Sequence, residues 1–220
     1  MFKKVVVVTA LLVASASQAM AQGAEVGVTV GWTFSDGASG DPFLAANGNL
    51  YDRLDPKDSF SWGLNVGVPV TPNVEVGFIF GQQMSTLIAD GTAETEVGDM
   101  SVNTYHGYVG YNFLESDSSI RPYLLFGLGA TNYPSVSYTN AFGQGRELEG
   151  FTGFSTTWGA GVKGYAGGNF GFKAGIQWTP TYLKSDAAGW WCDPYWGCYV
   201  IGDAQYGNQW TFNGGLLVRF

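Results

Sequence analysis

From Glu25 to Phe34 the chain reads EVGVTVGWTF, with Val26, Val28, Val30, Trp32 and Phe34 on one face and Gly27, Thr29, Gly31 and Thr33 on the other. Successive side chains of an extended backbone point to opposite sides, so a period of two predicts a strand with unlike faces. SFSWGLNVGV at 59–68 repeats the scheme, setting Phe60, Trp62, Leu64, Val66 and Val68 against Ser61, Gly63, Asn65 and Gly67. The rule holds in six further segments: 74–82, 102–113, 122–133, 154–165, 170–179 and 206–220. The sequence thus predicts eight strands and no competing helix beyond its first residues.

The connections alternate in length. PVTPN at 69–73, LESDSSI at 114–120 and AGGN at 166–169 are short and rich in turn residues, whereas 35–58, 83–100, 134–151 and 180–205 are long. Short turns at one end and long loops at the other define an all-β, eight-stranded antiparallel transmembrane β-barrel, with periplasmic turns and extracellular loops. Two features turn the apolar face outward to lipid. Aromatic residues gather near strand ends, Trp32, Phe60, Trp62, Trp158 and Trp178 toward the long loops and Tyr111, Phe113, Phe170, Phe172 and Phe220 toward the short turns. The opposite face is mostly Gly, Thr, Ser and Asn, which suits the narrow bore of eight strands and would make a poorly charged surface in water.

Composition agrees with this placement. Only 13 % of residues are charged and 16 % are aromatic, with 33 glycines, against a usual charged share of about 25 %. Lys3 and Lys4 precede an apolar run from Val5 and a small-residue stretch ending at Ala21. That order predicts a signal peptide over 1–21 and a barrel domain over 22–220. Losing Lys3 and Lys4 would take the formal charge from −8 to −10, which excludes nucleic acid as a partner on electrostatic grounds.

Five charged residues fall inside strand segments on the small-residue face: Glu25, Glu75, Lys163, Lys173 and Arg219. Buried charges need partners, so they are expected to form one network across the lower lumen, acting either as a plug or as a gate. His106 shares the lumenal face with Thr104 and Tyr108, and no Ser-His-acid constellation is legible around it.

GWWCDPYWGC at 189–198 holds the only two cysteines, in the fourth long loop. In an oxidising exported setting Cys192 and Cys198 are expected to form a disulfide rather than a redox or metal pair. Two Cys and one His fall short of the four ligands of a structural zinc site, so neither a metal nor a cofactor is expected. Trp190, Trp191, Tyr195 and Trp196 then either pack together or present a rigid aromatic surface to a glycan, lipopolysaccharide or a protein. Most of the 18 acidic residues also fall in the long loops, among them Asp55, Asp90, Glu96 and Asp99, so the outer surface is strongly negative. Divalent cations bridging those carboxylates to lipopolysaccharide would suit it.

The chain resembles the small outer-membrane barrels grouped around the OmpA transmembrane domain, OmpX and the opacity-type surface proteins. The resemblance is carried by YVGYNF at 108–113, RPYLLFGLGA at 121–130, WGAGVKGY at 158–165 and the terminal GGLLVRF. It implies a bacterial outer-membrane location and recognition of Phe220 by the outer-membrane assembly machinery. Phe220 ends both the last strand and the chain, so a following wall-binding domain of the full OmpA kind is not expected. The resemblance settles place and fold better than task. The leading expectation is a non-enzymatic surface barrel whose loops serve adhesion, envelope integrity or recognition of an external ligand or host surface. A narrow channel or a transporter of small apolar molecules is the alternative.

Overall fold

The computed structural model describes residues 23–44, 50–114, 118–139, 145–166, 169–183, 192–193, 197–198 and 206–220. In chain order the strands are β1 (Glu25–Asp36), β2 (Ala38–Leu44), β3 (Leu50–Pro56), β4 (Ser59–Pro69), β5 (Val74–Gly91), β6 (Thr95–Asn112) and β7 (Ile120–Tyr133). There follow β8 (Val136–Thr139), β9 (Gly145–Leu148), β10 (Phe151–Tyr165), β11 (Phe170–Tyr182), β12 (Cys192–Asp193), β13 (Gly197–Cys198) and β14 (Tyr206–Arg219). Eight of these, β1, β4, β5, β6, β7, β10, β11 and β14, form a closed antiparallel ring. Each pairs with the next along the chain, and β14 returns to β1 with Glu25 opposite Arg219 and Asp36 opposite Asn208. Closure leaves these strands no free backbone edge through the membrane, which is the condition a spanning sheet must meet.

The apolar faces point outward. Val28, Val30, Leu64, Val109, Leu124, Leu128 and Phe212 are about half exposed on the isolated chain, and Leu216 is 71 % exposed. So continuous an apolar band would be an aggregation surface in water and is ordinary against acyl chains. Its upper limit is marked by outward amides that satisfy the aromatic belt. Trp62 Nε1 donates to Gln82 Oε1 at 3.0 Å, Gln82 Nε2 donates to Asn103 Oδ1 at 2.8 Å, and Trp178 Nε1 donates to Asn208 Oδ1 at 3.1 Å. Trp178 and Trp210 stack at 5.8 Å. At the other end Tyr111 and Phe113 meet edge to face at 5.3 Å.

Two of the expected long loops are largely strand. The segment 83–100 continues β5 and β6, whose ladder runs from Val74 opposite Tyr111 up to Ala89 opposite Thr95 with one irregularity at Leu87/Ile88. Each of these strands has 18 residues, whereas a membrane crossing takes about 9–11, so this hairpin rises well beyond the lipid. Segment 35–58 contains the β2–β3 hairpin, and β3 joins the ring beside the upper part of β5. The alternation fades there because both faces leave lipid: the outer face turns polar while the inner one becomes apolar. Acids read as loop residues, including Asp55, Asp90, Glu96 and Asp99, thus sit on extracellular strands.

That inner face makes an apolar core above the membrane. Tyr51, Leu54, Leu87, Met100, Val102 and Leu183 belong to it, and Leu87 is fully buried. Asp55 is caught at its edge, 8 % exposed, with Arg53 Nε 3.8 Å away. Burial pushes its carboxyl up to about 6, against a partial opposing pull from Arg53. The folded sheet therefore holds this proton more tightly than the unfolded chain does, and it gains stability as pH falls through about 6 toward the ordinary carboxylate value of 3.8. Protease resistance of the β2–β3 hairpin is expected to be higher at pH 5 than at pH 7.5, and Asp55→Asn should flatten that dependence.

Candidate functional site

The bore is layered. Its lowest layer forms where the starts of β1, β5, β7 and β11 meet the ends of β6, β10 and β14, each sending inward the residue that period two dictates. Lys163 Nζ, 2 % exposed, donates to Glu25 Oε2 at 2.7 Å and to Glu75 Oε2. Glu25 Oε1 also accepts from Tyr165 OH at 2.6 Å and from Arg219 Nη2 at 2.8 Å. Glu75 accepts from Tyr108 OH at 3.1 Å and from Asn112 Nδ2 at 3.3 Å. Arg219 stacks over the Tyr165 ring at 4.0 Å. Lys173 enters the same layer but reaches neither glutamate; its Nζ sits 4.9 Å from the Tyr123 ring centroid.

All five strand-embedded charges named from the sequence thus lie in one layer, four of them ion-paired. A sixth charge, Arg121, joins them. It is 4 % exposed, with Nη1 3.9 Å from Glu25 Oε1, and it donates to the carbonyls of Pro72 and Leu114 in two turns. Its parity with Tyr123 and Leu125 along β7 is the signal in the sequence, obscured because the alternating pattern is evident only from Pro122 onward whereas β7 begins at Ile120. Four glycines of this face make room for tyrosines. A Cβ at Gly67 or Gly77 would strike Tyr108, and one at Gly161 or Gly175 would strike the Tyr123 hydroxyl.

Above the ion layer the bore is a ladder of hydroxyls. Thr181 Oγ1 donates to Thr131 Oγ1 at 3.0 Å, Thr131 Oγ1 donates to Ser155 Oγ at 3.0 Å, and Ser155 Oγ lies 2.9 Å from His106 Nε2. Both His106 and Ser155 register against Gly129 of the intervening strand, whose missing side chain lets them meet. This Ser-His contact escaped sequence reading because it depends on cross-strand register. Among the described residues no carboxylate is bonded to the imidazole, and Ser155 has no exposed surface.

Cys192 and Cys198 face each other across the two-residue β12–β13 ladder. Trp190, Trp191, Tyr195 and Trp196 lie outside the described residues.

A closed eight-stranded sheet with lipid-facing apolar residues and a packed polar bore defines the class of small outer-membrane barrels. The profile of the family described as "Outer membrane protein beta-barrel domain" matches residues 6–220, and the chain belongs to that family, whose place is the bacterial outer membrane. Among curated proteins no sequence relative matches. Among solved structures the fold is similar to Neisserial surface protein A, at 13 % identity and TM-score 0.54 over 90 % of this chain and 97 % of that one. It is also similar to OprG from Pseudomonas aeruginosa, at 11 % identity and TM-score 0.56 over 90 % and 96 %. AlkL, solved in lipid bilayers, matches at 11 % identity and TM-score 0.52 over 90 % of each chain.

Proposed function

We propose that this protein is a non-enzymatic surface barrel that works through its extracellular portion, in adhesion, recognition or envelope integrity, while its bore stays closed. The observation that carries the reading is the double seal: a charge layer below and an apolar core above, both packed, under strands that rise past the lipid. An open pathway would need a continuous wet bore, and eight strands leave room for little beyond side chains. The hydroxyl ladder supports a structural role for His106, since hydrolysis needs a nucleophile that substrate can reach and a base oriented behind it.

On this reading the signal peptide over 1–21 delivers the chain, and Phe220 guides its assembly. A Cys192–Cys198 disulfide would clamp the last outer hairpin, because directly opposed strand residues fall within disulfide-forming separation. The ring it closes would contribute about 2 kcal/mol at most, local to that hairpin. Trp190, Trp191, Tyr195 and Trp196 are its candidate contact surface, toward lipopolysaccharide or a host glycan or protein.

The test has two arms. Purified protein in planar bilayers is expected to give no stable single-channel steps; steady, charge-selective currents would instead favour the transport alternative. Cells carrying the protein are expected to retain lipopolysaccharide or host-surface ligands, and to lose that retention when Cys192 and Cys198 are both replaced by Ser. Equal retention by the double variant would refute the loop as the binding element.

A further inference from the structure

Among the described residues the side-chain charges of the lower bore are four cations, Arg121, Lys163, Lys173 and Arg219, and two acids, Glu25 and Glu75. Both glutamates are already engaged by the first, second and fourth of these cations and by three polar side chains. Lys173 is left over. It stands directly opposite Lys163 in the β10–β11 ladder, is 5 % exposed, and among the described residues makes no ion pair. Its one close partner is the face of Tyr123.

This lysine lines a cavity of about 60 Å³ in the middle of the bore, together with Thr29, Ser61, Asn65, Gln177 and Asn213. That is space for several water-sized spheres and too little for an organic anion. Ser61 Oγ is buried without a partner and can donate, whereas Asn65 Oδ1 and Asn213 Oδ1, also without one, are acceptors and call for water beside the ion. An ammonium held away from bulk water without a counter-charge is costly. Hydroxyls can rotate to donate, so Thr29 and Ser61 can complete a shell around a negative ion. We propose that this mid-bore cavity binds one small, halide-sized inorganic anion, with Lys173 as its counter-charge and Thr29 and Ser61 as supporting donors. Such an ion offsets the charge of Lys173 from within the barrel and is independent of what the outer loops contact.

The test uses the full chain refolded in detergent with bromide as probe. Crystals grown in sodium bromide should show one anomalous peak in the cavity against Lys173 Nζ, kept in Lys173→Arg and lost in Lys173→Met. In solution, the temperature at which the compact gel form converts to the extended one should be several degrees higher in bromide than in gluconate at equal ionic strength. That shift should vanish in Lys173→Met. A wild-type cavity without bromide density overturns the proposal, as does a peak or a shift that persists in Lys173→Met. Should Lys173→Met fail to fold, the wild-type density and the salt comparison decide. Neither outcome bears on the sealed-bore reading, which rests on the conductance measurement.

Discussion

Lys163→Ala is expected to destabilise the folded barrel by about 3–5 kcal/mol, the range seen when one member of a buried ionic cluster is removed and its partners are left uncompensated. Among the described residues Lys163 is the only cation bonded to both Glu25 and Glu75. Without it Glu75 keeps, among the described residues, the Tyr108 hydroxyl and the Asn112 amide. The urea midpoint of the compact, heat-modifiable band reads the loss directly. Lys173→Ala is the matched control: it removes the neighbouring lysine that touches neither glutamate, and it should cost far less. Equal losses from the two substitutions would mean that lumenal volume rather than ion pairing holds this layer together.

The second large effect is local. Leu87→Ala should remove about 2–5 kcal/mol from the apolar core above the membrane, the usual cost of emptying a fully buried leucine site. Leu87 has no exposed surface and packs in a cluster drawn from β3, β5, β6, β7, β8, β9 and the segment after β11. That cluster lies outside the lipid band, so the loss should open the extracellular sheet and leave the ring below intact. Trypsin cleavage near Arg53 and Lys57 is expected to accelerate while the gel shift of the folded barrel persists. Concurrent loss of the gel shift would show that the outer core and the membrane ring fold as one unit.

The legible and illegible parts of this chain divide along physical lines. Wherever one face meets lipid, the alternation is strict, as in Val26 to Phe34, because a misplaced polar group there has no partner. Above the lipid the same strands carry polar residues outward and Leu87, Ala89, Met100 and Val102 inward, so the segment 83–100 read as loop. The charges at Glu25, Glu75, Lys163, Lys173 and Arg219 stood out against a Gly and Thr background, whereas Arg121 hid at a strand boundary. His106 was visible as a lone lumenal imidazole, but its partner Ser155 was not. Nothing local in either strand encodes a contact made across Gly129.

By itself, the amino-acid order determined the eight strands of the ring, the alternation of short and long connections between them, and which face turns to lipid. Each of those follows from side-chain chemistry repeated along an extended backbone. Which charge pairs with which, that Lys173 is the one left over, and that the bore is sealed above by leucines and valines were decided only on ring closure. Closure sets the shear between strands, and shear sets which inward residues share a height.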